Sequence, residues 1–420
     1  MLQRLRATVR STPTRLTVAL GILIALDIGY GAVAASGASQ ANSDVATMRG
    51  GASSSIMDAQ TLYTKLSDAD ASASAGFVAT GTQETLLSTR YNQDISAVAA
   101  SLTNVIAGSP PPSADPKHLV DKLAIYHGMV VAARLPNPTV VTAEATSPRA
   151  ASRYLRNTLL PSAQRIYWAE NGRLKTQRVD AATYPYYAVG LGVATLVVLL
   201  FVQWYLTRRT RRRLNIGLGA ATLLIVGALI YQNVAWAGLQ HHLRSVGAIA
   251  DQTTTLVTAR VDAREARSDE ALALMHDGVV TESEADFGNT MTTLVGPDGG
   301  ADTLIAAERQ APDPGVRTAV GRAIADLQAW QERHAELQHS EESGDHAAAV
   351  AAALGPASSA SDAVDRDLCT AIKAANKAFA RESRAGSNDI EPVGIVVFII
   401  TLLALVGLSV GIMRRHSEYR

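Results

Sequence analysis

Three arginines spaced four and three apart, Arg149, Arg153 and Arg156, follow directly on Ser147-Pro148. A serine N-cap with proline at the first helical position starts a helix there, and the spacing puts all three guanidinium groups on one face. Such a face pairs carboxylates in bidentate fashion, which makes it a candidate surface for a carboxylate ligand or an acidic partner. Ordinary pairing with neighbouring acids is the competing reading. Asp27 sits inside an apolar run, where an ionisable side chain is costly and needs a cavity, a polar partner or an interface; Gln232 and Asn233 of another apolar run are candidate partners. An Asp tolerated near the outer surface is the alternative.

His334, His339 and His346 lie among Glu332, Glu336, Glu341, Glu342 and Asp345. His334 and His339 are five apart and do not share a helical face, so a solvated surface is expected and no metal site. Cys369 is the only cysteine, which excludes an intrachain disulfide framework and Cys-rich metal sites. No phosphate loop, His-Glu-x-x-His, nucleophile elbow or kinase motif occurs. An enzyme is therefore not expected: no catalytic residue and no cofactor is assigned, and nothing points to nucleic acid.

The elements that must hold these residues follow from composition. The 420 residues carry 38 basic and 38 acidic side chains, with 47% hydrophobic and only 18% charged residues and a mean hydropathy of +0.09. Four nearly charge-free stretches, residues 16–35, 186–206, 216–238 and 393–413, have the length of a membrane-crossing helix. A cleaved signal sequence ending near Ala32-Val33-Ala34 is the alternative for the first, although its apolar run is longer than a usual signal core. Charge assigns the sides. Residues 1–15 hold Arg4, Arg6, Arg10 and Arg15, and the loop 207–215 holds Arg208, Arg209, Arg211, Arg212 and Arg213, both without acids; residues 414–420 hold Arg414, Arg415 and Arg420 against Glu418. The positive-inside rule puts these three pieces in the cytoplasm of a multi-pass plasma-membrane protein with both termini inside. The loop arginines suit anionic lipid or a cytoplasmic partner as well as topology alone.

Residues 37–183 and 241–391 then lie outside, and both read as helical, with apolar side chains three and four apart, as in Leu62, Leu66, Ala69, Ala73 and Phe77. No alternating strand pattern of useful length occurs. The order span, outer stretch, span occurs twice, which reads as two tandem copies of one module, each a four-helix bundle on the membrane. Residues 68–81 align with 265–278, and the stretch around Tyr126 with that around Trp330. The copies differ in charge: 13 basic and 11 acidic residues in the first, 13 and 25 in the second. The expected fold is an all-α membrane protein with four spans and two outer helical bundles.

This layout resembles the sensory part of chemoreceptors and sensor kinases, without their cytoplasmic modules. Through Ser67 to Gly81, Tyr126 to Arg134 and Ala266 to Gly278 it is also similar to the GlnX-type four-pass actinobacterial membrane proteins. The resemblance implies a non-enzymatic sensor and signal relay in amino-acid sensing. Its implied partners are an extracytoplasmic amino-acid-binding protein outside and a Ser/Thr protein kinase inside. A scaffold or accessory subunit of a transport complex is the alternative function. Few polar residues line the spans and no broken helix is evident, which argues against a pore. Ligand identity and homo-oligomerisation stay open.

Overall fold

The computed structural model describes residues 12–108, 115–134, 147–210, 216–275, 280–296 and 303–417. Among the described residues the chain is all helical, without a strand. In chain order the helices are α1 (Thr12–Thr47), α2 (Ser53–Val78), α3 (Thr82–Gly108), α4 (Asp115–Ala133), α5 (Pro148–Tyr154), α6 (Leu160–Ala181) and α7 (Tyr186–Thr210). Then follow α8 (Ile216–Ala273), α9 (Val280–Val295), α10 (Leu304–Gln310), α11 (Pro314–Glu342), α12 (His346–Ala352), α13 (Ser358–Ile390) and α14 (Val393–Ser417). Single π turns join α1 to α2, α5 to α6 and α12 to α13.

The expected starts and stops are visible. The Ser147 hydroxyl accepts from the Ala150 amide and Pro148 opens α5. Asp313 caps α11 in the same way, again ahead of a proline. Gly81, at φ 63°, supplies the left-handed residue that turns α2 into α3. Its counterpart in the sequence alignment, Gly278, lies outside the described residues. In the second long stretch α9, α10 and α12 lie between the longer helices α8, α11 and α13.

The helices divide into two compact units. The first comprises residues Met1–Met48, Thr176–Ser245 and Glu382–Arg420 and contains the four apolar segments, each inside a helix long and apolar enough to cross a membrane. Its core is built from Leu23, Leu199, Val202, Leu218, Ile225, Ala404 and Leu408. Backbone meets backbone closely at Gly217, where a Cβ would lie 2.6 Å from the Gly407 carbonyl oxygen and 2.8 Å from Gly411 Cα. The small-residue pair Gly407 and Gly411 thus packs against a third glycine.

The second unit comprises Arg49–Lys175 and Val246–Arg381. The two long stretches between spans are therefore not separate bodies. They share one core that runs from Leu62, Leu66 and Tyr126 in the first half to Leu256, Val320, Trp330 and Leu368 in the second. Tyr63 and Tyr167 of the first half stack at 6.3 Å, and the Tyr167 hydroxyl meets Thr254 of the second half at 3.3 Å. The centre of this unit is where the chain places its buried charge.

Candidate functional site

Along α2, Leu62, Leu66, Ala69 and Ala73 face the core, which turns Asp68, Asp70 and Ser74 toward residues 260–270 of α8. On α8, Arg260, Arg264 and Ser268 recur every four residues and so line one face. The two helices meet along these edges. The result is a buried polar joint between the halves of the second unit, arranged in three layers.

The first layer centres on Asp68. Its carboxylate accepts from Arg260 Nη2 at 3.0 and 2.9 Å, from Arg264 Nε at 3.0 Å and from Lys65 Nζ at 2.9 Å. Lys65 also donates to Asp94 at 2.8 Å, and Arg264 reaches Asp365 at 2.7 Å and Asp362 at 3.4 Å. Arg260 Nε lies 2.7 Å from Asp365 Oδ1, close but without hydrogen-bond alignment. Burial works to raise the Asp68 carboxyl, but Arg260, Arg264 and Lys65 outweigh it and hold it down at about 2.

The middle layer centres on Asp70. It accepts from Ser152 at 2.7 Å, Ser268 at 2.9 Å and Tyr126 at 3.3 Å, and Ser74 and Ser268 share a 2.7 Å hydrogen bond across the joint. Arg156 pairs with Asp269 at 2.6 Å and lies 3.9 Å from Asp70. Its Nη2 donates to the Glu265 carbonyl at 3.0 Å.

The third layer belongs to the second half. Glu270, fully buried, accepts from Arg267 at 2.7 Å, from Trp330 Nε1 at 3.2 Å and meets His334 Nδ1 at 3.1 Å. His334 Nε2 meets Glu284 at 3.0 Å, and the ring stacks on Phe287 at 3.7 Å. Burial alone would lower this imidazole, but its bonds to Glu270 and Glu284 prevail and carry it up to about 9.

The halves repeat one local device. An acid on the first helix of each half bonds an indole or phenol from a later helix, α4 or α11: Asp70 with Tyr126, and Glu270 with Trp330. That ring lies beside an aromatic ring from the preceding long helix, Tyr91 at 6.4 Å or Phe287 at 5.5 Å. The bonded equivalence Asp70 to Glu270 differs by three residues, nearly a turn, from the register of the sequence alignment.

The arginine face read from the sequence belongs to this joint. Arg156 is buried in it, and Arg149 Nη2 donates to the Leu272 and Met275 carbonyls at 3.0 and 2.9 Å, closing the C-terminal end of α8. Arg153 alone is exposed. The expectation of a solvated surface fails at His334, which is buried because α9, unseen in the sequence, covers it; His339 and His346 stay outside the core, with His346 paired to Glu341. No group of three or more His, Cys, Asp or Glu suited to a metal occurs among the described residues.

In the membrane-spanning unit Asp27 is fully buried, and neither carboxylate oxygen has a hydrogen-bond partner. Its expected partners are engaged elsewhere. Gln232 accepts from Tyr30 at 3.2 Å, and Asn233 bonds Tyr184 and the Leu229 carbonyl. Arg208 is exposed with its guanidinium 4.7 Å from the Trp204 ring. Arg211, Arg212 and Arg213 lie outside the described residues, as does the Arg209 side chain.

Sequence reasoning missed Arg260, Arg264 and Arg267. Their signal was the same spacing of four and three that drew attention to Arg149, Arg153 and Arg156.

Residues 44–179, about a third of the chain, match the family model of the actinobacterial sensor domain. The match takes in α2 to α6, the first half of the joint, and supports an actinobacterial sensor protein. Compared with curated proteins and with solved structures, the chain has no match.

Proposed function

We propose that this chain is a non-enzymatic transmembrane sensor and relay that transmits the packing state of its paired helical halves. The observation that carries this reading is the buried ionic joint between α2 and α8. A charge network without solvent is costly to break halfway and keeps discrete arrangements, which is what a two-state element needs. The likeness of the first half to a sensor domain points the same way. Helix α8 is continuous from residue 216 to residue 273, so residues of the joint and residues of an apolar segment lie on one helix. A shift of an ångström or two in the joint is of the size such helices transmit.

In this reading the second unit faces the outside and receives an amino-acid-binding protein or a ligand. The loop at residues 207–215 contacts a cytoplasmic partner such as a Ser/Thr protein kinase, and anionic lipid holds its arginines at the bilayer surface.

The test uses the 2.7 Å contact of Ser74 with Ser268. Cysteines at both positions, S74C with S268C, form a disulfide that locks the halves. Crosslinking from the loop to cytoplasmic proteins is then followed as extracellular amino acids are added. A relay loses its amino-acid response when locked and regains it on reduction. A locked chain with an unchanged response leaves a scaffold or transport subunit as the better description.

A further inference from the structure

The middle layer of the joint holds more negative charge than its cation offsets. Asp70, Glu265 and Asp269 surround Arg156, which is 2.6 Å from Asp269 and 3.9 Å from Asp70 and meets Glu265 only at its backbone oxygen. The neighbouring layer is better matched, with Lys65, Arg260 and Arg264 facing Asp68, Asp94, Asp362 and Asp365. Asp70 accepts from three hydroxyl donors, Tyr126, Ser152 and Ser268. Asp269 is 4% exposed, and among the described residues its ion-pair partner is Arg156. Glu265 is half-buried, and among the described residues its carboxylate makes no hydrogen bond.

Among the described residues, no ion pair joins another cation to this layer. From α8 itself comes another acid, Asp262, one turn before Glu265, and from α9 comes Asp286. The remaining titratable neighbours are phenols: Tyr63 of α2 beside Asp262 and Glu265, and Tyr91 of α3 and Tyr126 of α4 beside Asp70. Arg134 acts on these last two phenols, while its guanidinium lies against the Phe77 and Tyr91 rings.

We propose that this layer is a proton-binding site, in which Glu265 and Asp269 take up a proton to close the joint between the halves and release it to loosen the joint. Access is through Glu265, whose half-exposed carboxyl connects the layer to solvent. Burial is the main reason both groups hold protons: it pushes Glu265 up to about 7 and Asp269 up to about 7, against the pull of Arg156, and Asp262 up to about 6. An acid raised in the folded state binds its proton more tightly there. Its stabilisation is complete below an ordinary carboxyl value of about 4 and is lost as pH rises through about 7. The joint is therefore tightest in mildly acidic surroundings, and the set point of the relay moves with the pH of the compartment that the second unit faces.

The proposal deepens the relay reading and rests on it only for that last consequence. The full chain is purified in nanodiscs and its thermal midpoint recorded from pH 5.5 to pH 8, beside Glu265→Gln and the double variant Glu265→Gln with Asp269→Asn. The expected midpoint falls by about 5 °C from pH 5.5 to pH 8 in the unaltered chain. The single variant shows a smaller fall and the double variant a smaller one still, leaving the part that Asp262 and His334 contribute. A midpoint that is flat or rises toward pH 8 in the unaltered chain, or a fall of undiminished size in both variants, overturns the site. If the double variant does not fold, the half-buried single variant decides alone. Failure of the disulfide lock to silence the amino-acid response would leave this titration untouched, so the two ideas fail separately.

Discussion

Asp68, in the first half of the second unit, accepts two hydrogen bonds from one nitrogen of Arg260 in the second half, at 3.0 and 2.9 Å, with both side chains almost wholly removed from water. The pair ties together residues 192 apart in sequence. It adds to the apolar core that the two long stretches share.

Breaking that pair on one side strands the other charge. Asp68→Asn leaves Arg260 and Arg264 sharing Asp365 and Asp362, and the expected cost is about 3–5 kcal/mol, because an uncompensated buried charge is penalised in full. Denaturant unfolding of the purified chain measures it. A change below about 1 kcal/mol, the size of an exposed pair, would show that the joint is solvated.

The same carboxylate fixes the acid limit. Held at about 2, below its ordinary value, Asp68 contributes stability that is present above about pH 4 and is lost as pH falls through about 2. Crosslinking between the halves should persist at pH 4 and fail near pH 2. Separation of the halves already at pH 4 would contradict the arginine pairing.

At the alkaline end His334 governs. Raised to about 9, it stabilises the fold fully below about pH 6.5 and loses that contribution as pH climbs through about 9. The stabilisation is on the order of 2–3 kcal/mol. His334→Gln should lower the thermal midpoint at neutral pH and shrink the drop between about pH 6.5 and about pH 9. A drop of the same size in the variant would assign it to another group.

In the membrane-spanning unit two glycines make a matched comparison. Gly217→Leu drives a side chain into the Gly407 carbonyl, whereas Gly219→Leu meets nothing within 4 Å. The first should lose its folded form in detergent at temperatures the second survives, followed by thermal aggregation. Equal tolerance would mean that the span pair does not pack closely.

How much of this was readable beforehand depended on which force placed the residue. Apolar periodicity and caps act locally, so the four spans, α2 to α4 and the Ser147-Pro148 start were legible from a few neighbouring residues. The joint was not. Asp68 and Asp70 lie on a helix that already had a complete apolar face, and nothing local tells a buried acid from a solvated one. Its partners lie nearly two hundred residues away. His334 was misread for the same reason, since Glu284, which bonds it, lies on another helix 50 residues earlier.

Covalent fusion of the two halves has an outcome for charge. Were two identical copies to meet along this edge, every pair would occur twice by symmetry. Because both halves belong to one chain, the two sides need not match, and Asp68 on one side answers Arg260 on the other. The molecule is obliged to pair with itself, always in the same handed arrangement and at a fixed ratio of one to one.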